Sequence, residues 1–442
     1  MNITELSALM RESGVVGAGG AGFPSYAKLN KKADTIILNC AECEPLLKLH
    51  RQVLAKYAYE ILSTLEQIAD AVEAERVIIA VKGSYKQTVE AIKAQLSSLK
   101  KTEIGILPEI YPAGDEVITI YETTKRVVPP GSLPIEVGVI VYNVETIYNV
   151  YRAVAEHAPV TYKYITVAGE VAKPVTLKVP LGMTYHELIE LAGGATVSDP
   201  VLIGGGPMTG RIVNGYDTVT KTSNAVLVMP PNSFIVQKKQ TRIQTNMKRA
   251  MAACCQCQMC TDLCPRHLLG HPIEPHAFMR SASSGVTRDV TPYINTMFCS
   301  QCGLCEMFSC FQNLAPTTLI GVCKSGLRKN GVPVPQGISA DMVSPNRESR
   351  LVSKERLTAR LGLFKYDVEA RLVDEQVEAK QVKIALTQHI GAPAVAAVAK
   401  GDAVTLGQVI GAAAEGKLGV NTHASISGTV VDVNDRFVTI KA

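Results

Sequence analysis

The sequence predicts a multidomain α/β chain with four units: a parallel-sheet amino-terminal domain, a compact β-grasp module, a small cysteine-rich helical unit and a small all-β unit at the carboxyl end. Three observations carry that expectation. Buried-strand runs alternate with helical runs over the first third of the chain, which implies a largely parallel sheet. Ten of the twelve cysteines fall between Cys254 and Cys323. Short strands with glycine turns return after residue 383.

Length and composition agree with several packed cores. The chain has 442 residues, 47% of them apolar and 19% charged, which describes globular units and no disordered tract. A net charge of +5 is too mild to argue for nucleic-acid binding, and no basic cluster is interleaved with aromatics. No apolar run approaches the roughly 18–20 residues that a bilayer-spanning helix needs. The first residues, MNITELSALMRESG, carry acidic side chains and no apolar signal core, so the expected location is cytoplasmic.

Taken in order, TIILNC, RVIIAVKG and VGVIVYN read as buried strands, with AKYAYEILSTLEQIADAVEA as a helix among them. These define a domain over residues 1–158. YITVAGEVAKPVTLKVPLGMTYHELIELAGG reads as two strands, a turn and a helix opening near Thr184, and VLIGGGPMTGRIV adds a strand and a glycine turn, giving a β-grasp module over 159–235. Residues 236–330 hold the cysteines. Residues 331–382, polar with scattered prolines, read as a linker with some helix, and 383–442 read as the all-β unit.

The cysteines carry the strongest chemical signal. Cys254-x2-Cys257-x2-Cys260-x3-Cys264-Pro265 fits the bacterial ferredoxin run, and Cys299-x2-Cys302-x2-Cys305-x4-Cys310 repeats it with one extra residue. Three thiolates at two-residue steps wrap one [4Fe–4S] cubane, and in paired arrangements the fourth comes from the other run. Cys254, Cys257, Cys260 and Cys310 are therefore assigned to one cluster, and Cys264, Cys299, Cys302 and Cys305 to the other, in a small helical ferredoxin-like domain. Two structural zinc sites are the competing reading, although zinc favours paired C-x2-C units. Cys255 and Cys323 are surplus and expected to be buried thiols. Cys40 and Cys43 form a C-x2-C without partner ligands nearby. His267, His271 and His276 flank the first run and are expected to be ordinary hydrogen-bonding residues.

Gly17-Ala-Gly-Gly-Ala-Gly22-Phe23-Pro24 frees backbone amides for a phosphate, and Lys28 follows closely. The spacing matches neither the dinucleotide fingerprint nor a Walker loop. In company with Asn39-Cys-Ala-Glu42-Cys-Glu44-Pro45, Tyr111-Pro-Ala-Gly114-Asp115-Glu116 and Asn143-Val-Glu-Thr146, it resembles the FMN-binding subunit of respiratory complex I and the C subunit of the Rnf complex. That resemblance implies FMN contacts at Gly17, Gly19, Gly20, Gly22, Lys28, Asn39, Gly114, Asp115, Glu116, Asn143 and Thr146. It implies Glu42 and Glu44 as catalytic candidates on the nicotinamide side. Ala18, Ala41 and Tyr142 depart from the complex I pattern, which touches NADH recognition more than flavin binding.

The order of units narrows the resemblance. The β-grasp module is similar to SLBB (soluble-ligand-binding β-grasp) domains, and His389-Ile-Gly-Ala-Pro393 lies at the carboxyl end in a unit that resembles a barrel-sandwich, biotinyl or lipoyl-like domain. The lipoyl-type Met-Lys-Met hairpin is absent, so that unit is read as scaffold. The arrangement resembles the cobalamin reductases of propanediol-utilisation microcompartments. It implies NADH as electron donor, FMN and two [4Fe–4S] clusters as cofactors, and a corrinoid substrate taken towards Co(I). It further implies a corrinoid adenosyltransferase and shell proteins as partners, inside a bacterial microcompartment. Two other functions fit the same motifs: an Rnf-like NADH:ferredoxin subunit, and a relay or scaffold protein without NADH oxidation.

Overall fold

A computed structural model describes residues 1–442. Helix α1 (Ile3–Glu12) opens the chain under a capping box made by Asn2 and Glu5. Strands β1 (Thr35–Cys40), β2 (Arg76–Lys82), β3 (Thr102–Leu107) and, after the two-residue β4 (Ile110–Tyr111), β5 (Val139–Asn143) form the first domain's framework. Helices α2 (Leu49–Lys56), α3 (Ala58–Val72), α4 (Lys86–Leu96), α5 (Glu116–Thr124) and α6 (Val144–Ala155) connect them. The single helix read from the sequence breaks at Tyr57 into α2 and α3.

The sheet runs β3-β2-β1-β5 with every neighbour parallel. Alternate strand residues face opposite layers. Ile36, Leu38, Val77 and Ile79 join α1–α4 and α6, whereas Ile37, Ile78, Val139 and Val141 join α5. Strand order reverses between β1 and β5, where Asn39 and Asn143 are register partners. Such a switch point, at the carboxyl ends of the strands, is where open α/β sheets bind ligands.

The second sheet contains β6 (Tyr162–Gly169), β7 (Val175–Pro180), β8 (Val201–Gly204), β9 (Arg211–Val213) and β10 (Ala225–Met229). Helix α7 (Tyr185–Leu191) packs on it behind a Thr184–Glu187 capping box. Tyr164, Val167, Leu177 and Leu188 belong to the same 46-residue core as the first domain's helices, so the first two units share an interior.

Helices α8 (Phe234–Gln240), α9 (Ile243–Ala253), α10 (Met259–Asp262), α11 (Pro275–Ser284), α12 (Thr291–Ile294) and α13 (Pro316–Lys329) surround the cysteine loops.

The segment read as a linker is a structural strap. Strand β11 (Val352–Ser353) pairs with β4, α14 (Lys354–Arg360) follows, and β12 (Leu372–Gln376) extends the second sheet beside β7, giving the order β12-β7-β6-β10-β8-β9. Its polarity misled because an edge strand tolerates charged residues. Asp374 of β12 accepts hydrogen bonds from the hydroxyls of Tyr57 and, at 2.6 Å, Tyr164.

The carboxyl unit closes two small sheets on one core: β13 (Gln381–Ala385), β19 (Phe437–Lys441), β18 (Gly428–Val433) and β15 (Ala403–Val404) in one, and β14 (Val395–Ala396), β16 (Val409–Ala412) and β17 (Thr422–His423) in the other.

Candidate functional site

A cavity of about 470 Å³ opens at the switch point of the first sheet. Gly17, Gly19, Gly20, Gly22, Lys28, Asn39, Gly114, Glu116, Asn143 and Thr146 all line it, as do Glu42 and Glu44. The fold brings four sequence-distant motifs together because three sit at the end of β1 or β5 or at the start of α5 or α6, and the glycine loop after α1 is tied to α6 through Thr146.

The glycine loop is shaped to receive a ligand. Gly20 has φ +61° and a Cβ there would meet nothing within 4 Å. The amides of Gly19, Gly20 and Ala21 have no acceptor in the protein, whereas those of Gly17 and Ala18 are tied to Phe23 O and Thr146 Oγ1, both at 2.9 Å. Consecutive free amides around left-handed glycines make an anion-binding nest. Lys28 Nζ stands nearby, held by Glu116 Oε1 at 3.1 Å and the Val141 carbonyl at 2.8 Å. Asn39 donates to the Gly114 carbonyl at 2.9 Å, and Asn143 caps α6 through the Glu145 amide at 3.0 Å. Free amides, a lysine and two asparagine side chains around an open switch point fit a flavin mononucleotide.

One expectation is corrected, and the two glutamates prove to be engaged by the protein. Asp115 does not line the cavity. Its carboxylate caps α5, accepting from Val117 N at 3.0 Å, and pairs with Arg266 at 2.8 Å, two residues beyond Cys264. Glu42, at φ 38°, reaches forward to accept the amides of His50 and Arg51 at 2.8 and 3.3 Å, supplying the cap that α2 lacks locally. Glu44 accepts Met208 N and Thr209 N, both at 2.9 Å, and so ties the cavity rim to the β-grasp loop. Both glutamates border the cavity, but every carboxylate oxygen is engaged by the protein.

Sequence reasoning missed His50, Asn224 and the buried pair Lys163–Glu145. His50 lines the cavity with its Nδ1 3.3 Å from Asn143 Nδ2 and no partner at Nε2, and burial pushes its pKa down. Lys163 and Glu145 are each 1% exposed, and Lys163 also donates to Asn224 Oδ1 at 2.9 Å. Burial pulls the Lys163 ammonium below its usual range while Glu145 opposes that shift. The one available signal was Glu145 inside the Asn-Val-Glu-Thr stretch. Asn224 and Lys163 come from another unit and carry no local motif.

Cysteines of the two runs approach one another. Cys260 feels the charges of Cys310, Cys257 and Cys254, while Cys302 feels Cys264 and Cys299, and Cys305 feels Cys299 and Cys302. Cys254, Cys257, Cys260 and Cys310 ring one hollow together with His276 and Pro316. Burial and the neighbouring cysteines raise the Cys260 thiol to about 12, and burial raises the Cys264 thiol to about 11. Gln301 N and Leu314 N reach the sulfurs of Cys299 and Cys310 at 3.3 and 3.4 Å, donors that suit anionic cluster sulfur. These features fit two iron–sulfur cubanes.

Of the surplus cysteines, Cys323 is half-buried and Cys255 is exposed, contrary to the expectation of buried thiols. Cys255 lines the same hollow as Cys254 and Cys257, and its side chain interacts with that of Cys257. Cys40 is buried, and Cys43 lines the flavin cavity with its thiol raised to about 11 by burial and by Glu44. His271 is 3.0 Å from the Val128 carbonyl and His276 pairs with Thr261 at 2.8 Å, both ordinary structural contacts.

Comparison with known proteins extends this picture. Residues 10–152 match the Nuo51 FMN-binding domain, 164–212 the SLBB domain and 253–315 the 4Fe-4S dicluster domain. Residues 363–442 match the RnfC barrel sandwich hybrid domain, which begins inside the segment read as a linker. The chain is 39% identical over 442 residues to the cobalamin reductase PduS of Salmonella typhimurium, spanning 100% of this chain and 97% of that protein. The chain belongs to the PduS cobalamin reductase family. PduS of Citrobacter freundii is equally similar, 39% over 434 residues, covering 98% of this chain and 95% of the relative. A component of the proton-translocating ferredoxin:NAD(+) oxidoreductase complex of Clostridium ljungdahlii is 31% identical over 274 residues, 61% of this chain and 57% of that one. This PduS-family chain thus joins an FMN domain, an SLBB module, a dicluster domain and a barrel sandwich. No helix is long and apolar enough to cross a membrane.

Proposed function

We propose that the protein is an NADH-dependent oxidoreductase that reduces a corrinoid, taking cobalt from Co(III) or Co(II) towards Co(I). We further propose that it serves a corrinoid adenosyltransferase inside a propanediol-utilisation microcompartment, among shell proteins. One observation carries the reading: a full-length relative named for cobalamin reduction, in a chain whose flavin-shaped cavity adjoins paired cluster loops.

When bound, FMN exchanges the electron pair of a hydride for single electrons, and the [4Fe–4S] clusters relay those electrons one at a time. The protein's part is binding and orientation. Lys28 and the amides of Gly19, Gly20 and Ala21 would hold the flavin phosphate. Gly17 and Gly22 shape that loop, Thr146 anchors it, and Asn39, Gly114, Glu116 and Asn143 would border the rest of the cofactor. Glu42 and Glu44 hold the rim against which the nicotinamide would lie. Cys254, Cys257, Cys260 and Cys310, with Cys264, Cys299, Cys302 and Cys305, would hold the irons.

Anaerobic addition of NADH to purified protein tests this, read as bleaching of the flavin and as the corrinoid spectrum. Bleaching followed by Co(I) absorbance is expected. Bleaching with ferredoxin reduced and cobalt untouched would replace the corrinoid reading with the Rnf-like one that the Clostridium match favours. No bleaching would leave a relay protein.

A further inference from the structure

The fold treats the two cysteine sets differently, and the difference orders them. We propose that the set Cys264, Cys299, Cys302 and Cys305 holds the cluster next to the flavin, and that the set Cys254, Cys257, Cys260 and Cys310 holds the outer cluster, at whose exposed face the corrinoid is reduced. The ordering rests on the flavin-to-corrinoid reading above.

Two chains of contact run from the cavity wall to the loop around Cys302. The Tyr111 hydroxyl donates to the Cys302 carbonyl, and Tyr111 is buried three residues before Gly114 of the cavity lining. A Cβ on Gly114 would stand 3.2 Å from Cys43 Sγ, and Cys43 and Cys302 pack against one apolar cluster that contains Tyr111 and Met208. In the second chain, Glu44 of the cavity rim accepts Met208 N at 2.9 Å, and the Met208 carbonyl and methyl lie 3.5 and 3.6 Å from where a Gly303 Cβ would stand. Arg266, next in sequence but one to Cys264, pairs with Asp115, which caps the helix carrying Glu116 of the lining.

The other set faces away. Cys257 and its neighbours Cys255, Gln256 and Gln258 are exposed, and its hollow is bordered by residues 254–260, His276, Met279 and 310–316, none from the flavin domain. The sets adjoin where Cys305 feels the charge of Cys260. Electron tunnelling weakens steeply with distance, so a path from cavity to solvent crosses the set tied to the cavity wall first. The balance is simple: NADH yields NAD+, one proton and two electrons, and each electron converts one Co(II) corrinoid to Co(I).

Full-length Cys302→Ala and Cys257→Ala proteins test the order, each expected to keep its flavin and about half its iron. Freeze-quench electron paramagnetic resonance after NADH addition should show the remaining cluster of Cys257→Ala reduced, with corrinoid reduction lost. The remaining cluster of Cys302→Ala should stay oxidised on the timescale that bleaches the flavin, yet be reduced by dithionite. The reverse pattern would overturn the proposal. If Cys302→Ala does not fold, Cys264→Ala removes the same cluster from the other run. A second readout needs no NADH. In dithionite-reduced protein in D2O, the cluster left in Cys302→Ala should show the stronger coupling to exchangeable deuterons, and equal or reversed couplings would refute the order. Failure of NADH to bleach wild-type flavin would sink the functional reading and leave this second comparison standing.

Discussion

Gly22→Ala isolates what the glycine loop contributes to cofactor binding. Gly22 has φ +66°, where a residue with a Cβ costs about 1–2 kcal/mol. The new methyl would also stand 2.6 Å from Thr222 Cγ2 and 3.1 Å from the Gln388 carbonyl, an overlap worth a further ~1–3 kcal/mol. Together these total roughly 2–5 kcal/mol, which weakens flavin affinity from about thirtyfold to a few thousandfold if the loop must hold its native shape to bind. Titration of apoprotein with FMN, read by quenching of flavin fluorescence, gives the dissociation constant. Thr222→Ala in the same chain should recover only the Thr222 share of the overlap, leaving the backbone part, about five- to thirtyfold, and the Gln388 contact. Affinity of Gly22→Ala within twofold of wild type would refute both the loop geometry and its role.

The crosswise assignment predicts that Cys264→Ala and Cys302→Ala leave the same residual cluster by Mössbauer and paramagnetic resonance spectra, and that Cys310→Ala and Cys257→Ala leave the other. If instead Cys264→Ala shares its residual spectrum with Cys257→Ala, each run ligates its own cluster. Lys163→Met strands the buried Glu145 carboxylate and should cost about 3–5 kcal/mol, seen as earlier thermal release of flavin; adding Glu145→Gln should restore most of it. His271 is buried and its pKa falls from 6.5 to about 4, so the native state binds fewer protons than the unfolded one. Its contribution is complete above about pH 6.5 and is lost as pH falls towards about 4, on the order of 3 kcal/mol in all. His271→Gln should flatten the acid limb of a denaturant-midpoint series over that window, and an unchanged limb would contradict it.

What the sequence made legible was local. Runs such as TIILNC and RVIIAVKG announce buried strands because both faces of a parallel sheet are covered, and the cysteine spacing announces its ligand geometry because the loop itself wraps the cluster. What it hid depended on distant partners. Asp115 looks like its neighbour Glu116, and only the approach of Arg266 from the cluster domain turns it away from the cavity. Glu42 and Glu44 read as free acids until the amides of α2 and of the Met208 loop are seen to occupy them. Strand β12 is too polar to be recognised alone, and its role appears once β7 offers an unpaired edge.

The carboxyl unit does more than end the chain. The Ile390 amide donates to the Ala21 carbonyl at 3.1 Å, and Gln388 and His389 close over the position of Gly22. The carboxyl unit contributes no residue to the cavity lining, so it braces the glycine loop from outside the cavity and helps fix the loop's shape without touching what the loop holds.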